Sequence, residues 1–341
     1  MRPTVHDIAR AAGVSLATVD RVLNARPGVR GDTIVRVNAA VDALGYVRDA
    51  AAANLARSRR FRLAFVLPRV DTAFHAALRA EVAALRPHAA MDRALIELAE
   101  VPAESPAALA ATLDRLAAEG IDGVAVMAAE TPQTRDALRR LRTAGVRVVT
   151  LVADLAQSDR DHFVGINNVA AGRTAGVLMG RFLGRDPGRI LVFAAAMSAR
   201  DQAERRLGFD RVMQADFPQH AVLPTAEAHD DPDLAARRVA QALATHGPLQ
   251  GIYCIGSGKR GLARALAEAG LARRTTVIVH ELSPQTRLAL EDGTFDVAIT
   301  VDVGHMVRSA VRVLRALAGG GTIIPAQERI RLDVVLRENL P

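Results

Sequence analysis

Lysine, cysteine and aromatic residues are all scarce in this chain, and each scarcity excludes something. Cys254 is the only cysteine among 341 residues, so neither an intramolecular disulfide nor a cysteine-built zinc site can form. A lone cysteine within an apolar run reads as a small buried side chain, and its solitude fits a reducing compartment. Aromatics make up 3% of the chain, with no tryptophan and two tyrosines, which leaves little for stacking on a base or a ligand. No apolar run reaches the roughly 18 residues that span a bilayer, and the N-terminal residues lack the apolar core of a signal peptide. A cytoplasmic protein with no membrane partner is the expectation. The nine histidines are scattered and no nucleophile–base pair stands at a recognisable spacing, so neither metal, cofactor nor enzymatic chemistry has support. Lys259 is the only lysine among 44 Lys and Arg residues, a bias that reads as genome composition.

What is present is apolar mass and an uneven charge. Hydrophobic residues are 50% of the chain, ample for packed cores, and 341 residues exceed twice a typical domain of roughly 150. Residues 1–60 hold ten Arg and five Asp, whereas the rest is close to neutral, within an overall charge of +7. A small basic head on a near-neutral body points to an anionic partner such as DNA.

Three short helices fit the head. The first runs from Asp7 to Ala12 and stops at Gly13; Ser15 then caps a second through Leu23. A third begins near Asp32, places Ile34, Val37, Val41 and Leu44 on one face, and ends at Gly45. Residues 48–60 read as a linker with helix propensity but no apolar face. From Phe61 onward strands and helices alternate. Strands are expected at Phe61–Leu67, Ala94–Leu98, Gly123–Met127, Arg147–Leu151, Phe163–Ile166, Arg189–Ala194, Gly251–Ile255, Thr276–His280, Val297–Thr300 and Leu332–Leu336. Amphipathic helices such as Pro106–Glu119, Thr131–Ala144 and Asp233–His246 lie between them. Repeated β-α units imply parallel sheets, and some 280 residues are too many for one, so two lobes are expected.

The run Thr4-Val5-His6-Asp7-Ile8-Ala9-Arg10-Ala11-Ala12-Gly13-Val14-Ser15, then Ala17-Thr18-Val19-Asp20-Arg21-Val22-Leu23-Asn24, resembles the headpiece of LacI/GalR transcription regulators, and Leu44-Gly45-Tyr46 continues the pattern. The remainder is similar to that family's periplasmic-binding-protein-like core. The resemblance implies a small all-α helix-turn-helix headpiece followed by an α/β core of two parallel-sheet lobes, of the periplasmic binding protein type I kind. Its domains would be a headpiece at 1–47, a hinge at 48–60 and an effector-binding and dimerisation core at 61–341. Within the core, an N-lobe would span about 61–167 plus 302–322, and a C-lobe about 168–301 plus 323–341.

By the same resemblance the second helix enters the major groove, where Leu16, Ala17 and Arg21 fall at base-reading positions. An arginine fork suits guanine O6 and N7. Thr4, Ser15, Thr18, Asn24 and Thr33 are short side chains placed for phosphate oxygens. Asp20 replaces the serine commonest in the family; its carboxylate either accepts from cytosine N4 or turns away. In the linker, Leu55 falls at the leucine that wedges into the minor groove, flanked by Ala53 and Asn54, with Arg57 for phosphates.

In the core the resemblance assigns effector binding to Asp71, Thr72 and Phe74 after the first strand, to Arg205 three residues before Gly208-Phe209, and to Glu281 and Asp302 after later strands. Ser257 is a candidate contact from a glycine loop. That loop, Gly256-Ser257-Gly258-Lys259-Arg260-Gly261, satisfies G-x-G-x-x-G after a strand, with Glu281 about 20 residues on, the pattern of a dinucleotide site. The function implied is a ligand-responsive transcriptional regulator, a repressor that binds a palindromic operator as a homodimer and senses a small sugar or related metabolite. A dinucleotide-binding oxidoreductase-like protein and a pure solute-binding protein are the alternatives.

Overall fold

The computed structural model describes residues 3–23, 26–46, 60–91, 93–228, 231–256 and 258–341. The chain divides into two compact units, Met1–Arg59 and Arg60–Pro341. Asn24, Ala53, Asn54, Leu55, Arg57 and Ser257 lie outside the described residues.

The first unit contains α1 (Val5–Ala12), α2 (Leu16–Leu23) and α3 (Gly31–Ala43). Gly13 ends α1 in the left-handed conformation at φ 62°, and the Val14 N–H donates back to the Ala9 carbonyl at 3.0 Å. Ile8, Ala12, Val19, Val37 and Ala40 form its core, with Val14, Val22, Val41 and Leu44 packed against them. Ile34, expected on the buried face, is instead 38% exposed. The stripe that meets the two eight-residue helices runs through Val37, Ala40, Val41 and Leu44, and Ile34 lies outside that cluster.

The second unit holds two sheets. In the first, β1 (Phe61–Arg69), β2 (Ala94–Pro102), β3 (Gly123–Val126), β4 (Arg147–Leu151) and β5 (His162–Val164) are ordered β2-β1-β3-β4-β5, all parallel. Helices α4 (Ala73–Met91), α5 (Pro106–Ala118) and α6 (Pro132–Thr143) connect them. Strand β1 shows why the pattern is a continuous apolar run. Phe61, Leu63, Phe65 and Leu67 enter one core while Ala64 and Val66 enter another, because both faces are covered.

After β5 the chain crosses to the second sheet through α7 (Asn168–Leu183). That sheet contains β6 (Arg189–Ala194), β7 (Ala221–Val222), β8 (Ala226–Glu227), β9 (Gly251–Cys254), β10 (Thr276–His280), β11 (Val297–Val301) and β12 (Leu332–Val335). Its order is β12-β11-β10-β9-β6-β7, with β8 also on β6. The intervening helices are α8 (Arg200–Asp216), α9 (Pro232–His246), α10 (Lys259–Glu268) and α11 (Pro284–Glu291). The sheet departs from the all-parallel expectation at its edge, where β12 runs antiparallel to β11. Helix α12 (Val303–Gly319) follows β11 yet packs on β1, β3, β4 and β5, so the chain returns to the first lobe before α13 (Pro325–Glu328) and β12. A Cβ on Gly123 of β3 would stand 2.9 Å from the Leu314 side chain of α12. Among the described residues no helix is long and apolar enough to cross a membrane.

Candidate ligand cleft and helix-turn-helix face

On α2 the split between core and surface is sharp. Val19 is fully buried, while Leu16, Ala17, Asp20 and Arg21 are exposed on one side. Leu16 keeps 43% of its surface. Ser15 caps the helix, its Oγ accepting from the Thr18 N–H at 3.2 Å and lying 2.9 Å from the Thr18 hydroxyl. Thr4 spends its hydroxyl and its backbone N–H on the Asp7 carboxylate at 2.7 and 2.9 Å. Thr33 is half-buried in the first turn of α3. Asp20 forms an ion pair with Arg26 at 3.1 Å, so a cation neutralises the carboxylate on the exposed face. Arg10, Arg21, Arg30 and Arg36 are all exposed in the same small unit.

In the second unit, strand ends from both sheets meet at a cleft with two parts. Near the crossovers, a cavity of about 20 Å³ is lined by Phe74, Val152, Gly165, Ile166, Arg205, His280, Glu281 and residues of β11 and α12. That is room for a water molecule and not for a sugar, so the lobes are closed on this part. The outer part is a cleft of about 850 Å³ between the ends of β1, β2 and β3 and the stretch from Ser198 through the first turns of α8 to Leu207.

Arg205 is 6% exposed and aimed by its neighbours. Its Nε donates to Asn168 Oδ1 at 3.0 Å, Nη1 donates to the Ile255 carbonyl at 2.9 Å, and Nη2 lies 3.6 Å from Asp201. The close packing of α7 on α8 makes this possible. A Cβ on Gly172 would sit 1.9 Å from the Arg205 carbonyl oxygen, and one on Gly208 would sit 2.0 Å from that of Val169. Only glycine lets the two backbones touch.

Glu281 faces the same cavity from the end of β10. Burial alone would push its carboxyl up; the charges of Lys259 and Arg205, with the Lys259 hydrogen bond, outweigh it and hold it below the ordinary glutamate range. Behind it, His280 is buried and its Nε2 lies 2.7 Å from the Tyr253 hydroxyl. Burial first, then Arg205 and Lys259, push His280 well below the ordinary histidine value, so it is neutral. Two lining residues hold the left-handed backbone that non-glycine residues avoid, Glu281 at φ 69° and the β-branched Val152 at φ 66°. Such strain clusters at binding sites.

Not every expected residue converges there. Phe74 lines the inner cavity. Thr72 caps α4, its Oγ1 2.7 Å from His75 Nδ1, and Asp71 is exposed and lines neither part of the cleft. Asp302 is exposed as well; its carboxylate caps α12 by accepting from the His305 N–H at 2.7 Å, which satisfies an orphan helix donor. The glycine loop has a packing explanation. A Cβ on Gly261 would meet the Pro232 carbonyl at 2.0 Å, one on Gly256 would meet Gln202 Oε1 at 2.6 Å, and Gly258 holds φ 94°. Lys259 turns into the core. His75, Asn168, Lys259 and the Tyr253–His280 pair were missed by sequence reasoning; of these only Lys259 carried a signal, as the one lysine in the chain.

Residues 4–49 match the family model described as bacterial regulatory proteins, lacI family, and residues 63–322 match that of a periplasmic binding protein domain. Catabolite control protein A of Priestia megaterium is 37% identical over 78 residues, 23% of this chain and 24% of that protein. The maltose regulon regulatory protein MalI of Vibrio furnissii is 39% identical over 77 residues, 23% of this chain and 56% of that protein. Each match therefore spans less than two thirds of the relative. Among solved structures, the glucose-galactose binding protein GanP of Geobacillus stearothermophilus superposes with a TM-score of 0.73 at 17% identity, covering 83% of this chain and 99% of that one. A solute binding protein of Burkholderia graminis C4D1M in complex with D-arabinose gives 0.73 at 22%, covering 86% and 98%. A putative LacI transcriptional regulator of Bacteroides fragilis gives 0.71 at 15%, covering 82% and 98%. These structures share the fold.

Proposed function

Because the chain belongs to the lacI family of bacterial regulatory proteins and carries a periplasmic binding protein domain, we propose that it is a cytoplasmic repressor that binds a palindromic operator as a homodimer and senses a small sugar or a related metabolite. The observation that carries the sensing role is the pairing of Arg205 and Glu281 at one cavity between the lobes, a forked donor beside a charged acceptor. Donor and acceptor together suit adjacent hydroxyl groups, and Phe74 supplies an apolar face. Of the two binding proteins above, one is named for glucose and galactose and the other is in complex with D-arabinose, which supports a sugar.

In this reading Leu16, Ala17 and Arg21 read bases, and Thr4, Ser15, Thr18, Asn24 and Thr33 face phosphates. Ala53, Asn54, Leu55 and Arg57 form the minor-groove hinge. Ligand alters lobe closure in residues 61–341, which changes whether the paired hinges engage DNA; the coupling is reciprocal. Asp71, Thr72 and Asp302 stand as contacts reached only if the lobes rearrange, and Ser257 stands as a further candidate contact. In this reading the chain is neither an enzyme nor a nucleotide binder; the loop glycines have packing roles, Gly261 against Pro232 of α9, Gly256 against Gln202 of α8 and Gly258 against Phe193 of β6.

A thermal-shift screen of the full chain with D-glucose, D-galactose, D-arabinose, polyols and NAD tests the sensing role, because a specific binder raises Tm by mass action. A sugar that stabilises the parent chain and not Arg205→Ala supports it; stabilisation by NAD alone overturns it. For the DNA role, operators selected from random duplexes should be bound with a steep salt dependence. Arg21→Ala should cost about 1–3 kcal/mol and relax one base pair per half-site. An unchanged sequence preference removes Arg21 as a base reader.

A further inference from the structure

Lys259 is the one lysine in a chain whose Lys and Arg total 44, and it is buried. Its ammonium donates to three oxygens, the Gly256 carbonyl at 3.3 Å, the His280 carbonyl at 2.9 Å and Glu281 Oε2 at 3.1 Å. Three donors thus meet three acceptors. Two of the acceptors flank the N–Cα bond of Glu281, the bond whose rotation is held at φ 69°. The His280 carbonyl belongs to the peptide before that bond and the carboxylate to the side chain after it. One nitrogen gripping both pins the rotation and the side-chain direction together. An arginine cannot do this, because its donors diverge in a plane and three oxygens here converge on a single atom.

We propose that Lys259 is a positioning residue of the cleft, one that locks Glu281 in its left-handed conformation and presents a charged carboxylate to the cavity. Retention of a lysine where composition favours arginine everywhere else follows from this point-like geometry. The charged and titratable groups facing Glu281 are His75 from α4, Arg205 from α8 and Lys259 from α10, with His280 preceding it in β10 and Asp201 paired to Arg205. Of these only Lys259 donates a described hydrogen bond to the carboxylate. The role concerns the state of Glu281 and holds whatever ligand the cleft takes.

Because the chain has a single lysine, ¹⁵N-lysine labelling of the full protein yields one Nζ resonance with no assignment step. The expected result is an ammonium signal protected from exchange with water and shifted by Glu281→Gln. An Nζ that exchanges like a free lysine, or that ignores Glu281→Gln, overturns the proposal on the parent fold alone. Carboxyl ¹³C titration then gives the second arm. In the parent, Glu281 should titrate below an ordinary glutamate; in Lys259→Met, with burial unopposed by the ammonium, it should titrate above the parent value. Lys259→Arg should fail to restore the parent value. A Glu281 titration identical in the parent and Lys259→Met overturns the proposal, and a sugar screen that finds no ligand leaves both measurements intact.

Discussion

Arg200, at the start of α8 in the second lobe, forms an ion pair with Glu130, which follows β3 in the first. The pair bridges the mouth of the cleft. Glu130 also accepts from the Gln157 N–H at 3.0 Å, and Arg200 donates to Glu204 at 2.8 Å, so each partner is held from its own lobe. Glu130 retains 13% of its side-chain surface and Arg200 36%, which places the pair between a rim contact and a buried one.

Glu130→Gln should therefore loosen closure without unfolding either lobe. Exposed pairs contribute about 0.2–1 kcal/mol, and this less exposed one belongs at the upper end. A loss of that size shifts an open–closed equilibrium by roughly fivefold. Single-molecule transfer between dyes placed on α5 and α9 reads the distribution of lobe separations. An unchanged distribution would show that the pair does not hold the lobes together.

Gly172→Ala should destabilise the second unit. The new Cβ collides with the Arg205 carbonyl at 1.9 Å, so α7 and α8 must part. Overpacking of this kind costs about 1–3 kcal/mol. Urea denaturation checks the magnitude against Gly321→Ala, where the nearest atom is at 3.4 Å and no strain is expected. Equal midpoints in the two variants would refute the close approach that aims Arg205.

Stability should fall as the solution is acidified below pH about 6.5. The unfolded chain protonates its histidines near that value, whereas buried His280, and to a lesser degree His75, are held below it by desolvation first. The folded state thus binds fewer protons, and its stability is full above pH about 6.5 and lost on acidification, by up to about 1.4 kcal/mol per pH unit for His280. Glu281 and Glu328 are lowered in the fold and lose their contributions only at more acid pH. His280→Gln keeps an amide beside the Tyr253 hydroxyl and should flatten the slope between pH 6.5 and 5 in calorimetric Tm measurements. An undiminished slope would assign the pH dependence elsewhere.

Much of the architecture was legible because it is local. Ser105-Pro106, Thr131-Pro132 and Ser283-Pro284 each place a capping hydroxyl before a proline, and each starts a helix in the structure. All ten strands read from apolar runs are present, while the two-residue β7 and β8 were unreadable, being too short to show a period. The turn at Gly13 follows from residues within a few positions of one another, whereas the core of the first unit joins Ile8, Val19 and Val37 from three helices. The return of α12 to the first lobe was already implied by the family resemblance, whereas only the tertiary structure decided that β12 runs antiparallel and that Asp302 serves as a helix cap. Arg205 was singled out in the sequence by resemblance, but its burial and its bond to Asn168 come from the tertiary structure. The Lys259–Glu281 and Arg200–Glu130 pairs join residues 22 and 70 positions apart. Such pairings depend on how loops of many residues close and which strand ends face each other, and neighbouring residues carry no record of that.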